Sequence, residues 1–302
     1  VKQAARAAAR ERVVAEIRLR RALGMAKPRR RVPKQLPPRG VEREYAKALR
    51  EVVARLSDTL VSEVVSQLPA WSAEASRELD HLDSARLDAG IASKIAAFIR
   101  TIGDRLRAAI RPDALADLAR RFADRTTDWS RVQTNRQVRA AVGVDVFTAE
   151  PALAAMVDVF VVENVALVTR MGADELASIE GTVLRGVTSG ALPRDIAAQL
   201  AEQVEITKRR ATLIARDQVG KLYGNVNKVR QQKLGITKFT WTTVQDNRVR
   251  TEHEDRAGRV YSWTAEDATD EAPWLGAEEL PGQPINCRCS GEPVLDDLLA
   301  GL

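Results

Sequence analysis

Both cysteines of the chain, Cys287 and Cys289, stand one residue apart, with one of its two histidines, His253, upstream of them. These residues offer the sulfur and nitrogen donors that Zn²⁺ accepts, and Asp246 or Glu252 would add a carboxylate oxygen. Cys-x-Cys is not the usual Cys-x₂-Cys knuckle, so spacing does not fix a fourth ligand. The same residues fit a structural polar network, in which His253 and Asp246 hydrogen-bond within a strand-turn-strand and the thiols pack as small hydrophobes. That network is the favoured reading, with no firm cofactor and a structural zinc on His253, Cys287, Cys289 and Asp246 as its alternative. An i, i+2 disulfide closes a strained ring and staples nothing distant, so reduced thiols are expected.

Other chemistries find less support. His253-Glu254 opens like a zinc-protease helix, but Ala257 stands where the second histidine belongs. Cys287 as nucleophile with His253 as base lacks an oxyanion-hole signature. No Gly-rich phosphate loop is present. Asp246, Arg248 and Arg250 read as ion pairs holding a small sheet rather than as a catalytic cluster. No catalytic residue is therefore expected, and the competing enzyme reading is a metal-dependent hydrolase or nuclease built on His253, Asp246 and the cysteines.

Around these residues the sequence has a period of two. Ile236 to Trp241, Arg259 to Trp263 and Pro284 to Cys289 predict three strands, with an acidic loop over Asp267 to Leu280. Trp241, Trp263 and Trp274 crowd into this stretch. Upstream the period is helical. Helices are predicted over 1–26, 45–68 (ending before Pro69), 84–110, 113–126, 151–170, 173–188, 193–205 and 206–234, with Gly235 as the last stop. Val142 to Val146 reads as a turn or extended piece, and His81 as a surface residue. The fold class is α+β: a mostly α-helical body with a small C-terminal β-containing module. Its predicted parts are a basic arm and Pro-rich linker (1–40), a helical domain (41–234) and the module (235–302).

Scarce aromatics, 4% of the chain, suit helices packed through Ala, Leu and Val. No run approaches the roughly 20 apolar residues of a membrane helix, so a soluble intracellular product is expected. Residues 1–40 hold thirteen Lys/Arg against Glu11 and Glu16; that net +11 leaves −5 for the remainder of a chain whose total is +6. Val13, Val14, Ile17, Leu19 and Leu23 give the arm a thin apolar stripe. Arg29, Arg30, Arg31, Lys34 and Arg39 are the candidate contacts to nucleic-acid phosphates or an acidic partner, with a solvated, partly disordered tail as the bland alternative. No aromatics are interleaved, which argues against stacking on single-stranded bases.

One set of residues has a familiar order: Ile214-Ala-Arg-Asp-Gln218, Asn225, Gly235, Trp241-Thr-Thr-Val-Gln-Asp246-Asn-Arg-Val-Arg250-Thr-Glu-His253, Gly258 and Pro284-Ile-Asn-Cys-Arg-Cys289. From about Asp195 to Ser290 the chain resembles the phage Mu F-like head morphogenesis, or minor capsid protein, family. Arg216, Trp241, Asp246, Arg248, Arg250, His253, Asn286, Cys287 and Cys289 are the matching motif positions. Where such proteins often show Ala-Arg-Thr-Glu, this chain has Asp217 and Gln218, which puts any role of that glutamate in doubt here. The resemblance implies a structural, non-enzymatic minor head protein of a tailed bacteriophage, present in few copies inside the capsid at the portal vertex. It implies action in head morphogenesis and in DNA packaging or ejection. Expected partners are the portal protein, the major capsid or scaffolding protein, and packaged DNA through the basic arm, with no membrane. Assembly would take place in the host cytoplasm.

Overall fold

The computed structural model describes residues 2–25, 32–80, 84–109, 111–143 and 153–296. Within them seven helices and three strands give the expected α+β class: α1 (Lys2–Ala22), α2 (Arg39–Asp80), α3 (Ser84–Ala109), α4 (Pro112–Val142), α5 (Ala154–Thr188), α6 (Pro193–Lys233), β1 (Lys238–Thr242), α7 (Thr251–Asp255), β2 (Val260–Ser262) and β3 (Ser290–Pro293). None of the described helices is long and apolar enough to cross a membrane. His81, Arg29, Arg30, Arg31 and the 144–147 segment lie outside the described residues. Two compact units form: Val1–Glu42 with Arg120–Val161 and Arg216–Leu302, and Arg43–Ala119 with Val162–Ala215.

The second unit is helical. Leu60, Val64, Leu68, Trp71 and Ala75 of α2 meet Ile91, Ile95, Ile99 and Ile102 of α3, together with Ile179, Val183 and Val187 of α5 and Ile196 and Leu200 of α6. This face explains why α2 does not stop before Pro69: the apolar stripe continues through Trp71 and Ala75 after the ring. Losing one helical hydrogen bond at proline is offset by burying Trp71 edge-on against Phe98, with centroids 5.3 Å apart. Likewise, the predicted pairs 151–170 with 173–188 and 193–205 with 206–234 are single helices, because Met171 and Val204 are buried where a break was expected. The break between α5 and α6 is where Ser189-Gly-Ala-Leu-Pro193 predicts it, closed by the Ala191 N–H on the Gly186 carbonyl at 2.8 Å.

Two polar pairs sit inside that unit. Tyr45 donates its hydroxyl to Asn164 Oδ1 at 2.9 Å, and Ser57 donates to Glu175 Oε1 at 2.7 Å. Glu175 edges a cavity of about 160 Å³ whose other walls include Leu56, Leu60, Leu106 and Leu115. Burial raises its pKa, only partly offset by the Ser57 and Thr207 hydroxyls. A carboxyl whose folded pKa is raised binds its proton more tightly than the unfolded chain does, so stability falls as pH rises through that window. Glu175→Gln is expected to flatten this slope; melting temperatures from pH 4 to 8 that fall equally in both proteins would show that Glu175 does not cause it.

The first unit carries the small sheet. β1 lies between β2 and β3, antiparallel to both, with Phe239 opposite Tyr261 and Trp241 opposite Gly291. The predicted third strand, 284–289, is displaced to Ser290–Pro293. A side chain at Gly291 would fall 2.7 Å from the Trp263 ring and 2.9 Å from Phe239. Only glycine lets β3 cross these rings. Gln231 of α6 fastens the sheet, accepting from Trp263 Nε1 and donating to the Gly291 carbonyl, each at 2.8 Å.

The N-terminal stretch is not a loose tail where it is described. Val14 and Ile17 are buried with Val138, Val142, Leu234, Ile236 and Leu295, whereas Leu19 and Leu23 of the predicted stripe are exposed. Gly235, at φ 76°, ends α6 and leaves room for α1: its missing Cβ would fall 2.4 Å from that of Arg10. Residues 32–38 carry no regular secondary structure and are held by their backbone. The Leu36 carbonyl accepts from Trp129 and Tyr223, the Pro33 carbonyl from Gln137, and the Gln35 N–H donates to Glu292.

Candidate functional site

Three elements of the first unit converge on one point. The five-residue helix α7, which follows Arg250, presents His253; the loop from Pro281 presents Cys287 and Cys289; and β1 supplies Trp241, whose indole meets the His253 ring edge-on at 5.3 Å. The loop is positioned mainly from α6. Asp217 Oδ1 accepts the Asn286 N–H at 2.9 Å, fixing that residue in the left-handed conformation (φ 57°) that turns Cys287 inward. Gln283 donates to Asn225 Oδ1 at 3.0 Å, and Arg250 reaches across to the Ile285 carbonyl at 2.8 Å. Close backbone approach is possible because α6 carries Gly220 and Gly224 beneath the loop. A Cβ at Gly220 would stand 3.0 Å from the Cys287 carbonyl, and one at Gly224 would stand 2.2 Å from the Pro281 carbonyl.

Gly220, Gly224 and Gln231 carry roles that the sequence alone does not show. A small-x-x-x-small pair on one helix face was the available signal for the glycines. For Asp217, the departure from the resembling pattern drew notice, but its partner 69 positions away is set by folding alone.

At the centre, His253 Nδ1 lies 3.7 Å from Cys287 Sγ and 3.5 Å from Cys289 Sγ. The donor atoms of these three residues all fall within 4.8 Å of one another, and all three are buried. Cys287 is drawn well below the ordinary thiol range, first by the hydrogen bond from Cys289 and then by His253 and the backbone amides of Cys289 and Gly282, against the opposing effect of burial. Cys289 is pushed up by its bond to the Cys287 sulfur, by burial and by the neighbouring negative charge; the Trp241 indole works in the opposite direction. Reactive cysteines sit in partly exposed settings. Cys287, only 4% exposed, does not.

Asp246 is not part of this cluster. Arg288, between the two cysteines, points the opposite way from both and clasps the Asp246 carboxylate through both of its terminal nitrogens. The metal set read from the sequence therefore keeps three of its four members, and the enzyme reading loses the carboxylate it placed beside His253. The guanidinium and the Arg248 backbone N–H hold Asp246 down at about 2. A depressed carboxyl contributes above its unfolded pKa, and the contribution is lost as pH falls through the folded value. The clasp should thus persist to about pH 2, and Arg288→Gln should return the Asp246 carboxyl carbon titration to the ordinary range. An unmoved titration by NMR would contradict this pairing.

The remaining motif residues lie apart from the cluster or beside it. Arg216 pairs with Glu42 at 2.9 Å; Arg248 is exposed; Trp241 is fully buried. Lys34 and Arg39 are exposed.

Residues 177–291 match the family model described as "Phage Mu protein F like protein". This match begins within α5 and takes in α6, the sheet core and the whole His-Cys-Cys cluster. An uncharacterized protein of Haemophilus influenzae is 27% identical over 184 residues, covering 60% of this chain and 39% of its own length. The chain thus spans about two-fifths of that relative. No solved structure matches.

Proposed function

We propose, from the match of residues 177–291 to the phage Mu protein F-like family model, that the chain is a minor head protein of a tailed bacteriophage, associated with the portal on the capsid interior. In this role it acts in head morphogenesis and in DNA packaging or ejection. The observation that carries the reading is the family match, which takes in the long helix α6 and most of the module it anchors. Its partner is the portal protein, with the major capsid or scaffolding protein as further neighbours. Packaged DNA is within reach of the basic segment 27–39, whose Lys34 and Arg39 are exposed. Such contacts, being electrostatic, weaken steeply with salt.

The test uses the full chain with the portal protein of the same phage. Co-purification of the two, and mass-spectrometric detection of the chain in purified virions at far fewer copies than the major capsid protein, are the expected results. A chain absent from virions and indifferent to the portal would end this reading. DNA affinity that is unchanged when Lys34 and Arg39 are both replaced by glutamine would remove the DNA part alone.

A further inference from the structure

We propose that His253 Nδ1, Cys287 Sγ and Cys289 Sγ bind one Zn²⁺ ion, with a water as fourth ligand, and that this ion pins α7 to the loop. The inference is independent of any role in a phage head.

Geometry is the first argument. Tetrahedral zinc with sulfur at about 2.3 Å and imidazole nitrogen at about 2.0–2.1 Å sets the nitrogen–sulfur edge of its coordination shell at about 3.5–3.6 Å. The two edges here, 3.5 and 3.7 Å, lie close to that range. Hydrogen bonding explains the arrangement less well. An imidazole nitrogen has one in-plane site, either a lone pair or a proton, and serves one partner well. Two sulfurs are aimed at the same Nδ1, and a cation in the space between the three atoms satisfies all of them at once.

Charge is the second argument. Burying net charge without a partner is costly. On binding, a metal ion displaces the thiol protons, and two thiolates with a neutral imidazole then sum to −2, which a divalent ion cancels, whereas a monovalent soft ion would leave a buried anion in an aromatic setting. The flanking guanidinium groups do not supply the balance: Arg288 is engaged by Asp246, and Arg256 by Glu279 at 2.9 Å. The donor set of one nitrogen and two sulfurs is also one zinc favours over calcium or magnesium, which take oxygen.

The surrounding structure fits a supported ligand shell. The loop donor pair is fixed by Asp217 and Arg250, and His253 is braced by Trp241. Rigid outer partners of this kind orient metal ligands.

The experiment takes the full chain, purified with both thiols reduced, stripped with chelator, and loaded with Zn²⁺ or Co²⁺. Expected are about one equivalent of metal per chain, thiolate-to-cobalt charge-transfer absorption with tetrahedral visible bands, and bleaching of both on adding Zn²⁺. Cys289→Ser should weaken zinc binding by roughly tenfold or more against a competing chelator, while Asp246→Asn should leave it unchanged. The wild-type spectrum decides even where a variant fails to fold. Fully reduced protein that takes up no metal, or binds cobalt without a charge-transfer band, overturns the proposal. Equal loss in Asp246→Asn and Cys289→Ser overturns the ligand set.

Discussion

Alanine at Gly224 is expected to destabilise the protein by about 3 kcal/mol, the upper part of the range for forcing an added methyl into packed structure. On a free helix face the same change would stabilise by roughly 1 kcal/mol, because alanine is the better helix former. The clash decides the sign. The new Cβ would lie 2.2 Å from the Pro281 carbonyl oxygen and 3.3 Å from its carbon. Both are backbone atoms of a loop that cannot slide away easily. Its next residue, Gly282, sits at φ 90° with its own Cβ position 2.5 Å from the Gly220 carbonyl. Relief requires the loop to lift from α6, carrying Cys287 and Cys289 away from His253. Gly172 is the control: it lies inside α5 with nothing within 4 Å of its Cβ position, so Gly172→Ala should gain stability. Urea unfolding of both variants reads the difference. If Gly224→Ala stabilises as Gly172→Ala does, the close approach of loop and helix is wrong.

Trp241→Ala is expected to lose 3 to 5 kcal/mol, roughly the cost of truncating a large buried aromatic. The indole is fully buried and touches every part of the module. Phe239 lies 6.4 Å away, Tyr261 6.1 Å edge-on, His253 5.3 Å edge-on, and the Arg256 guanidinium 5.2 Å over the ring. Neighbours fixed on a three-stranded sheet and a five-residue helix cannot collapse into the space, so the cavity term persists. Trp241→Phe should recover much of the loss while giving up the stronger cation–π partner. Denaturant unfolding, with near-ultraviolet circular dichroism reporting aromatic packing, measures both. A loss below about 1 kcal/mol for the alanine variant would mean that the module does not depend on this ring.

How far the sequence carried these conclusions depended on the type of signal. The cluster was legible because His253, Cys287 and Cys289 are rare residue types in an Ala- and Arg-rich chain, so their nearness needed little geometric help. Asp246 was misplaced because its neighbour in space is chosen by alternation: Cys287 and Cys289 face inward, so Arg288 between them faces outward to the carboxylate. The same alternation suggested a strand over 284–289. Pairing instead begins at Ser290, in a Ser-Gly-Glu-Pro run that reads as a turn, since only a residue without a side chain fits against Trp263 and Phe239. Helix ends were the weakest reading. Pro69 and Gly172 are local break signals, and both were overridden by apolar faces that remain buried on either side.

The cluster formed by Val14, Ile17, Val138, Val142, Leu234, Ile236 and Leu295 has a temporal consequence. Its members come from widely separated stretches of the sequence, and contacts between distant positions close slowly. On the ribosome, Val138 and Val142 can cover α1 only in part until the residues through Leu295 have cleared the exit tunnel. The helical segments 43–119 and 162–215 need only one another to bury their own core. That helical core can therefore close before the cluster around α1 does. During that interval the early helix is the segment that a chaperone, or a misplaced neighbour, can seize.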